Sequence, residues 1–475
     1  MPKCSRALAA ASLLFLAGSA DQALAHGAER GFVLLLPTGY VVLGEALAVA
    51  VSFAIVALLP DRLFERGFAC KLRLGTMPGI SPVPLSLIST VFLCGLIAAG
   101  LIGTRDPLAN PLPLTIWTVW WVGVVLLHAV LGNAWAWLNP FVGPYALLDR
   151  LSGGRLAARR LPFSPAYDYL PALPVFLAFA WFQLVAPAPD DPARLAAAVS
   201  IYSLLTLLAV CLFGPEMWLT KADPFAVFLR LVAAVAPIQF RSSRHDRGKN
   251  DIHLRVPGAG LADLPALPLS GAFFVLLTLS SVSFDGLSNT FWWLSLAGIY
   301  PLDFPGRTAV IGLNTLGLIT AFIALTLLFT AAVYAGWLLA GKPGEFAHLF
   351  GQLVLSLIPI SIAFHFAHYL TDLLVNGQYA ALVLNDPLGR GWNLIGLRDF
   401  HVTASFLNTA NGSLTIFSIQ MVAIVIGHIT SIAVAHLLLR GRRTRRTIAL
   451  EAPLAILMVA YTAFGLWLLS TPSIA

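Results

Sequence analysis

Charged residues are scarce in this chain: Asp, Glu, Lys and Arg together make up 11% of its 475 residues, against about 25% in soluble domains. Hydrophobic residues make up 58%, and the mean hydropathy is +0.84. This balance excludes an ordinary soluble protein and predicts a polytopic membrane protein whose surroundings are the lipid bilayer. The net charge of +7 is what basic cytoplasmic loops produce, so it indicates no nucleic-acid partner.

Several signatures of catalysis and metal binding are also missing. The four cysteines form no C-x-x-C pair, which argues against a thiol metal site or a redox pair. Neither G-x-S-x-G nor H-E-x-x-H occurs, which disfavours a serine-triad hydrolase. The chain has only five methionines, so the usual soft ligands of Cu(I) are lacking.

The first 25 residues predict a cleaved signal peptide. Lys3 and Arg6 precede the apolar run 7–16, and Ala23–Ala25 matches an A-x-A cleavage site. Cleavage there leaves His26 as the first residue, and its free amine and ring nitrogen resemble the histidine brace of copper monooxygenases. The alternative is that His26 only begins a short polar segment.

Residues 26–475 are predicted to form a single integral-membrane domain. Ten apolar segments approach or exceed the roughly 20 residues that a hydrocarbon core about 30 Å thick requires. The fold class is therefore all-α, a polytopic transmembrane helix bundle of about ten spans. The predicted spans are 39–60, 84–103, 113–135, 169–187, 194–215, 266–284, 309–340, 347–376, 411–440 and 448–470.

Lys and Arg are concentrated in the loops that follow odd-numbered spans. These loops are 61–83, 136–168, 216–265 and 441–447. By the positive-inside rule they are cytoplasmic, which predicts a bacterial inner-membrane protein with periplasmic N- and C-termini. Loops 285–308 and 377–410 are then periplasmic, and the apolar start of loop 216–265, residues 223–240, predicts a helix lying at the membrane interface.

Three ionisable residues stand inside an apolar span: His365, His368 and Asp372. At about 100° per residue they fall within roughly 60° of one another on a helix. An ionisable side chain in hydrocarbon costs at least about 2.5 kcal/mol, so it faces the bundle interior or a wet cavity. The topology places all three in the outer half of their span, and Asp285 at the outer end of another. We therefore expect an outward-facing cavity lined by these four residues and His26.

This set of side chains predicts a site for a divalent metal, zinc or copper. His365, His368 and Asp372 would hold the ion, and His26 or Asp285 would complete the site. Such a metal lowers the pKa of a bound water toward neutrality and so generates a nucleophile. A purely structural polar seam is the alternative. His128, His428 and His436 are interpreted either as buried histidines bonded to carbonyls or as a second polar layer beneath the outer cluster.

Six segments carry a resemblance to a known family. They are AHG at 25–27, WLNPF at 137–141, SFDGLS at 283–288, HFAHYLTDLLVNGQ at 365–378, DPLGRGWNLIG at 386–396 and IQMVAIVIGHITSIAVAH at 419–436. The chain resembles a bacterial integral-membrane family of fenitrothion hydrolases, which are organophosphate hydrolase-like proteins. The resemblance implies an enzyme that hydrolyses aryl dialkyl phosphorothioate or phosphate triesters and releases a nitrophenol.

Two functional hypotheses follow. In the first, an apolar small-molecule substrate enters from the bilayer, and water attacks its phosphorus at a site whose catalytic residues are His365, His368 and Asp372. In the second, the chain is a periplasm-facing protein that handles or transports a metal such as copper. Both hypotheses leave open whether a second subunit is required.

Overall fold

A computed structural model describes residues 44, 47–55, 66–164, 167–242, 248–300, 306–397, 399–440 and 444–471. The predicted signal peptide, His26 and much of the first predicted span lie outside these described residues. Within that span, residues 47–55 are helical.

Twelve helices and three strands carry labels below. They are β1 (Lys71–Pro78), α1 (Pro82–Ile102), α2 (Pro111–Leu131), α3 (Val142–Leu151), α4 (Ala172–Leu184), α5 (Pro192–Phe213), α6 (Pro224–Ala233), β2 (Ile238–Ser242), β3 (Lys249–Arg255), α7 (Leu269–Ser288), α8 (Ile311–Leu339), α9 (Phe346–Leu353), α10 (Leu357–Asn385), α11 (Ala410–Leu438) and α12 (Thr444–Ser470). Short helices lie at Trp135–Leu138, Arg155–Ala158, Pro215–Met217 and Phe291–Leu296, and α2 is π-helical over Leu114–Val124. A second π-helical turn covers Trp218–Ala222, and 3₁₀ turns cover Ala259–Asp263, Arg307–Val310, Val354–Ser356 and Ser405–Asn408.

Eight candidate membrane spans are present in the described part of the chain, each long and apolar enough to cross a bilayer. They coincide with eight of the ten predicted spans, which confirms a multi-pass, all-α bundle. The predicted span 169–187 forms the 13-residue helix α4, which is short for a 30 Å core. The number of membrane crossings therefore stays a prediction.

A small antiparallel sheet, which the sequence analysis did not predict, joins two distant loops. Its strand order is β1-β3-β2, with Leu72 opposite Leu254 and Phe240 opposite Ile252. Across it, Arg73 Nη2 donates to Asp251 Oδ1 at 2.9 Å. The pairing puts loops 61–83 and 216–265 on one side of the bundle, as the charge distribution predicted. We call this side the sheet side.

Helix α6 packs inside the protein, whereas the sequence predicted a helix at the membrane interface. Nine of its ten residues are buried. Phe228 stacks on Trp121 with ring centroids 5.5 Å apart, and Phe225 meets Trp120 edge-on at 4.8 Å. Asp223 caps the helix by accepting from the Ala226 amide at 2.8 Å. Aromatic neighbours from α2 cover the face that an interfacial helix would turn to water.

The centre of the bundle is formed by α7 and α10. The buried share of an 18-residue apolar stretch differs among the candidate spans. This share is 78% in α7 and 83% in the span Phe346–Asn385, which contains α10, but only 22% in α1. Because α7 begins shortly after β3 and runs through the bundle, its end at Ser288 lies opposite the sheet. Polar residues near that end are therefore surrounded by protein and not by lipid.

Cysteine labelling tests whether the sheet and the loop after α10 lie on opposite sides of the membrane. Leu72→Cys in β1 and Leu394→Cys in the loop after α10 are both at exposed positions. We expect a membrane-impermeant maleimide to label Leu394→Cys in intact spheroplasts and Leu72→Cys only in inverted vesicles. The wild-type chain measures the background, and labelling of both variants from one side would contradict the fold.

Candidate functional site

A cavity of about 490 Å³ opens at the end of the bundle opposite the sheet. Helices α7 and α10 form its centre, and α2, α4, α11, α12 and the loop before α5 complete its walls. Its polar lining consists of Thr118, Gln183, Asp190, Asp285, Asn289, Arg307, His368, Tyr369, Asp372, Asn376 and Thr471. Three of the five predicted site residues thus lie in one cavity: Asp285, His368 and Asp372.

The central contact of the cavity joins α10 to α7. His368 Nε2 lies 2.9 Å from Asp285 Oδ2. The Tyr369 hydroxyl donates to the same carboxylate oxygen at 2.5 Å, and Gln183 Nε2 donates to the Tyr369 hydroxyl at 2.8 Å. This chain of hydrogen bonds fixes the carboxylate, and the carboxylate fixes the imidazole.

The second ring nitrogen of His368, Nδ1, is not engaged by Asp285. Within the described residues Nδ1 makes no hydrogen bond, and 27% of the side chain is exposed in the cavity. If Nε2 carries the proton that Asp285 accepts, Nδ1 is left with a lone pair. His368 can therefore take a proton from a molecule bound in the cavity.

Helical spacing and one close approach shape the cavity. His368 and Asp372 stand one turn apart on the same face of α10, and Phe364, one turn before His368, forms part of the floor. Gly465 lets α12 approach this floor, because a Cβ there would overlap the Phe364 ring. A side chain at this position would push α12 away from α10.

His365 lies elsewhere, although the helical periodicity placed it with His368. It is 3% exposed, and Nε2 lies 2.7 Å from the Trp121 carbonyl oxygen, so this nitrogen donates to it. Its ring also meets the Trp121 ring edge-on at 5.1 Å. Trp121 belongs to the π-helical part of α2, a geometry often found at functional sites. His365 therefore connects α10 to α2 behind the cavity wall.

Two residues that the sequence analysis did not select, Asp190 and Arg307, stand at the mouth. Arg307 Nη1 donates to the Gln183 carbonyl at 2.8 Å. Burial raises the pKa of Asp190 and the nearby Arg307 opposes that rise. Within the described residues neither Asp190 nor Asp372 has a hydrogen-bond partner. In the sequence, Asp190 and Arg307 are ordinary loop charges, and no local pattern shows that the fold brings them to His368.

The described residues bring only part of the predicted metal-binding set together. Within the described part of the chain, no three His, Cys, Asp or Glu side chains form a group that could hold a metal ion. His365 is bonded to a carbonyl and His368 Nε2 to Asp285, while His26 lies outside the described residues. Of the predicted ligands, His368 and Asp372 line the cavity, and within the described residues His368 Nδ1 and the Asp372 carboxylate make no hydrogen bond.

No family model matches the chain, and neither a curated protein nor a solved structure is similar to it. Two segments that carry the resemblance, SFDGLS and HFAHYLTDLLVNGQ, supply the Asp285–His368 pair and much of the cavity wall.

The role of His365 can be separated from that of the cavity. His365→Leu removes the donor to the buried Trp121 carbonyl, and we expect a loss of about 1–3 kcal/mol in unfolding free energy. The loss should appear as a lower melting temperature of the purified protein in detergent. His348→Leu on α9, an exposed position, is the matched control. An unchanged melting temperature for His365→Leu would show that the Trp121 contact is not structural.

Proposed function

We propose that the chain is a membrane-bound hydrolase of aryl dialkyl phosphorothioate or phosphate triesters, with His368 as its general base. The observation that carries the proposal is the His368–Asp285 pair, in which a buried carboxylate holds one imidazole nitrogen at 2.9 Å, the other nitrogen has no hydrogen bond within the described residues, and the histidine lines the cavity. An imidazole oriented by a carboxylate is a recurring device for taking a proton from a nucleophile.

The reaction uses one water molecule. His368 Nδ1 takes a proton from the water as the water oxygen forms a bond to phosphorus. The bond from phosphorus to the aryl oxygen breaks, and the aryloxide leaves with the bonding pair. Asp285 stabilises the imidazolium that forms. The products are a phosphate or phosphorothioate diester and an aryloxide, which as a nitrophenolate needs no strong general acid to leave. The imidazolium of His368 then releases its proton to bulk water, which regenerates the base.

Part of the cavity wall is apolar and can accommodate the aryl and alkyl groups of a triester. Its apolar side chains include Trp117, Leu184, Val282, Phe364, Ile424, Leu468 and Leu469. The volume of about 490 Å³ lies in the ordinary range of small-molecule sites, roughly 300–1,000 Å³. Arg307 places a cation at the mouth, where it can attract the negative charge that develops on the phosphoryl group.

The location in the cell belongs to the same proposal. The basic loops on the sheet side are assigned to the cytoplasm of a bacterium, which puts the cavity on the periplasmic face of the inner membrane. Both termini are then periplasmic. A triester dissolved in the bilayer would reach the site without crossing the cytoplasm.

Substitution of the base tests the mechanism. We expect His368→Ala to lower the rate of nitrophenol release from a triester by about 10²–10⁴-fold, the usual contribution of a general base. Asp285→Asn should also slow the reaction, because the amide can no longer hold the imidazole as a carboxylate does. Initial rates on equal amounts of detergent-purified protein measure both effects.

The control for these variants is His348→Ala, an exposed histidine on α9 outside the cavity lining. It should retain the wild-type rate. Full activity of His368→Ala in correctly inserted protein would overturn the assignment of the base.

A second candidate function is the handling or transport of a metal cation such as copper. The observation that favours it is the carboxylate excess of the cavity, where Asp190, Asp285 and Asp372 face Arg307 and His368. Carboxylates close together attract cations and bind the harder ones well.

Metal analysis distinguishes the two functions. For the hydrolase we expect triester turnover to survive chelation, because His368 acts on water directly. Mass spectrometry of the purified protein, with turnover measured before and after a chelator, provides the test. A stoichiometric metal that Asp372→Asn removes, in a protein without turnover, would favour metal handling.

A further inference from the structure

A second set of buried polar residues lies beneath the cavity, between α10, α11 and α12. We call it the polar track, and its members are Tyr461, His428, Ser431, His436 and Glu451. Each of them lies within a candidate membrane span. Ionisable residues at such positions are expensive and commonly form proton relays. The hydrolase mechanism above uses none of them.

A buried histidine–glutamate pair forms the sheet-side end of the track. His436 Nδ1 lies 3.0 Å from Glu451 Oε1, and the two residues are 7% and 3% exposed. The end of α11 lies on the sheet side, because the 3₁₀ turn Ala259–Asp263 that follows β3 contacts α11. This pair therefore stands close to the aqueous face that carries the sheet.

The middle of the track is His428, whose side chain is completely buried. Its Nδ1 lies 2.8 Å from the Ile424 carbonyl oxygen of the same helix and donates to it. Nε2 has no hydrogen-bond partner among the described residues. A buried unpaired acceptor costs about 1–3 kcal/mol, so this nitrogen serves no evident structural purpose. Its lone pair is a place where a proton or a water can bind.

A serine stands between the two histidines of the track on α11. Eight residues separate His428 from His436, a rise of about 12 Å. Ser431 lies between them, where its hydroxyl donates to the Ser356 carbonyl at 2.5 Å and contacts Met458 Sδ at 3.6 Å. A hydroxyl both donates and accepts, so with intervening water it can pass a proton between the two imidazoles.

The cavity end of the track is closed by Phe364. Its ring centroid lies 6.1 Å from that of His428 and 5.4 Å from that of Tyr461, and the same residue lines the cavity. Tyr461 is hydrogen-bonded to Ser283 of α7, two residues before Asp285. A single aromatic ring thus separates the track from the cavity.

We propose that the polar track conducts protons between the sheet side and the cavity, with Phe364 as the barrier at the cavity floor. Water on the sheet side supplies the proton, which moves through Glu451 and His436 to Nε2 of His428. His428 holds it as imidazolium and releases it from the same nitrogen to water in the cavity, past Phe364, because Nδ1 stays bonded to the Ile424 carbonyl. Bulk water at either end is the source and the acceptor, and no other reactant is needed.

Proton flux into proteoliposomes tests the track. The full chain is reconstituted with a pH-sensitive dye inside, and a potassium diffusion potential set with valinomycin drives protons inward. We expect wild-type flux above that of protein-free liposomes, and loss of that excess in His428→Gln and in Glu451→Gln. Both replacements are close in size to the native residues, so the bundle packing is retained.

The matched control is Thr415→Val, an exposed position on α11 whose hydroxyl bonds only its own helix. It should conduct as the wild type does. Wild-type flux equal to that of empty liposomes, or flux unchanged in both track variants, would overturn the proposal.

A variant expected to increase the proton flux provides an independent test. Phe364→Ala removes the ring between His428 and the cavity, and we expect the flux to rise above that of the wild type. Unchanged or lower flux in correctly inserted Phe364→Ala protein would reject Phe364 as the barrier. Neither arm depends on triester hydrolysis, so a negative result for one proposal leaves the other standing.

Discussion

The arrangement of the cavity depends on the hydrogen bonds that the Asp285 carboxylate accepts. This carboxylate is buried in a membrane span, where an uncompensated charge would cost several kcal/mol. His368 and Tyr369 both approach one of its oxygens, and Gln183 supports Tyr369. These hydrogen bonds can all form in only a few relative positions of helices α4, α7 and α10. Directional bonds thus set the register of helices whose remaining contacts are apolar.

The aromatic residues behind the cavity make that register rigid. Trp121 packs against Phe176 and Phe228, and its carbonyl accepts from His365. The helix that carries His368 is therefore held on one side by an apolar cluster and on the other by a carboxylate. An imidazole held in this way needs little reorganisation when it takes up a proton, which is the condition for effective general-base catalysis.

The transmembrane part of the fold could be predicted because hydropathy is a local property. Eight predicted spans match helices of the structure, whereas the sheet was missed because β1 and β3 are short and far apart in the chain. Helix α6 was placed at the interface because its composition does not show that α2 covers it. Asp285, His368 and Asp372 could be found because each interrupts an apolar span. Only the tertiary fold shows that His365 faces Trp121, or that Asp190 and Arg307 reach the same cavity.

The small sheet also constrains how the chain is made. Arg73 of β1 and its partner Asp251 are 178 residues apart, so β1 emerges long before the strand that pairs with it. At about 5–20 residues per second, the wait is on the order of ten to thirty seconds. During that time the β1 segment has no strand to pair with, and it carries Leu72 and Leu74, which are exposed even in the folded sheet. Lys71 and Arg73 give this strand the positive charge that discourages pairing with the wrong chain. The sheet thus closes a loop containing half of the bundle, and it does so only after α1 to α6 have been synthesised.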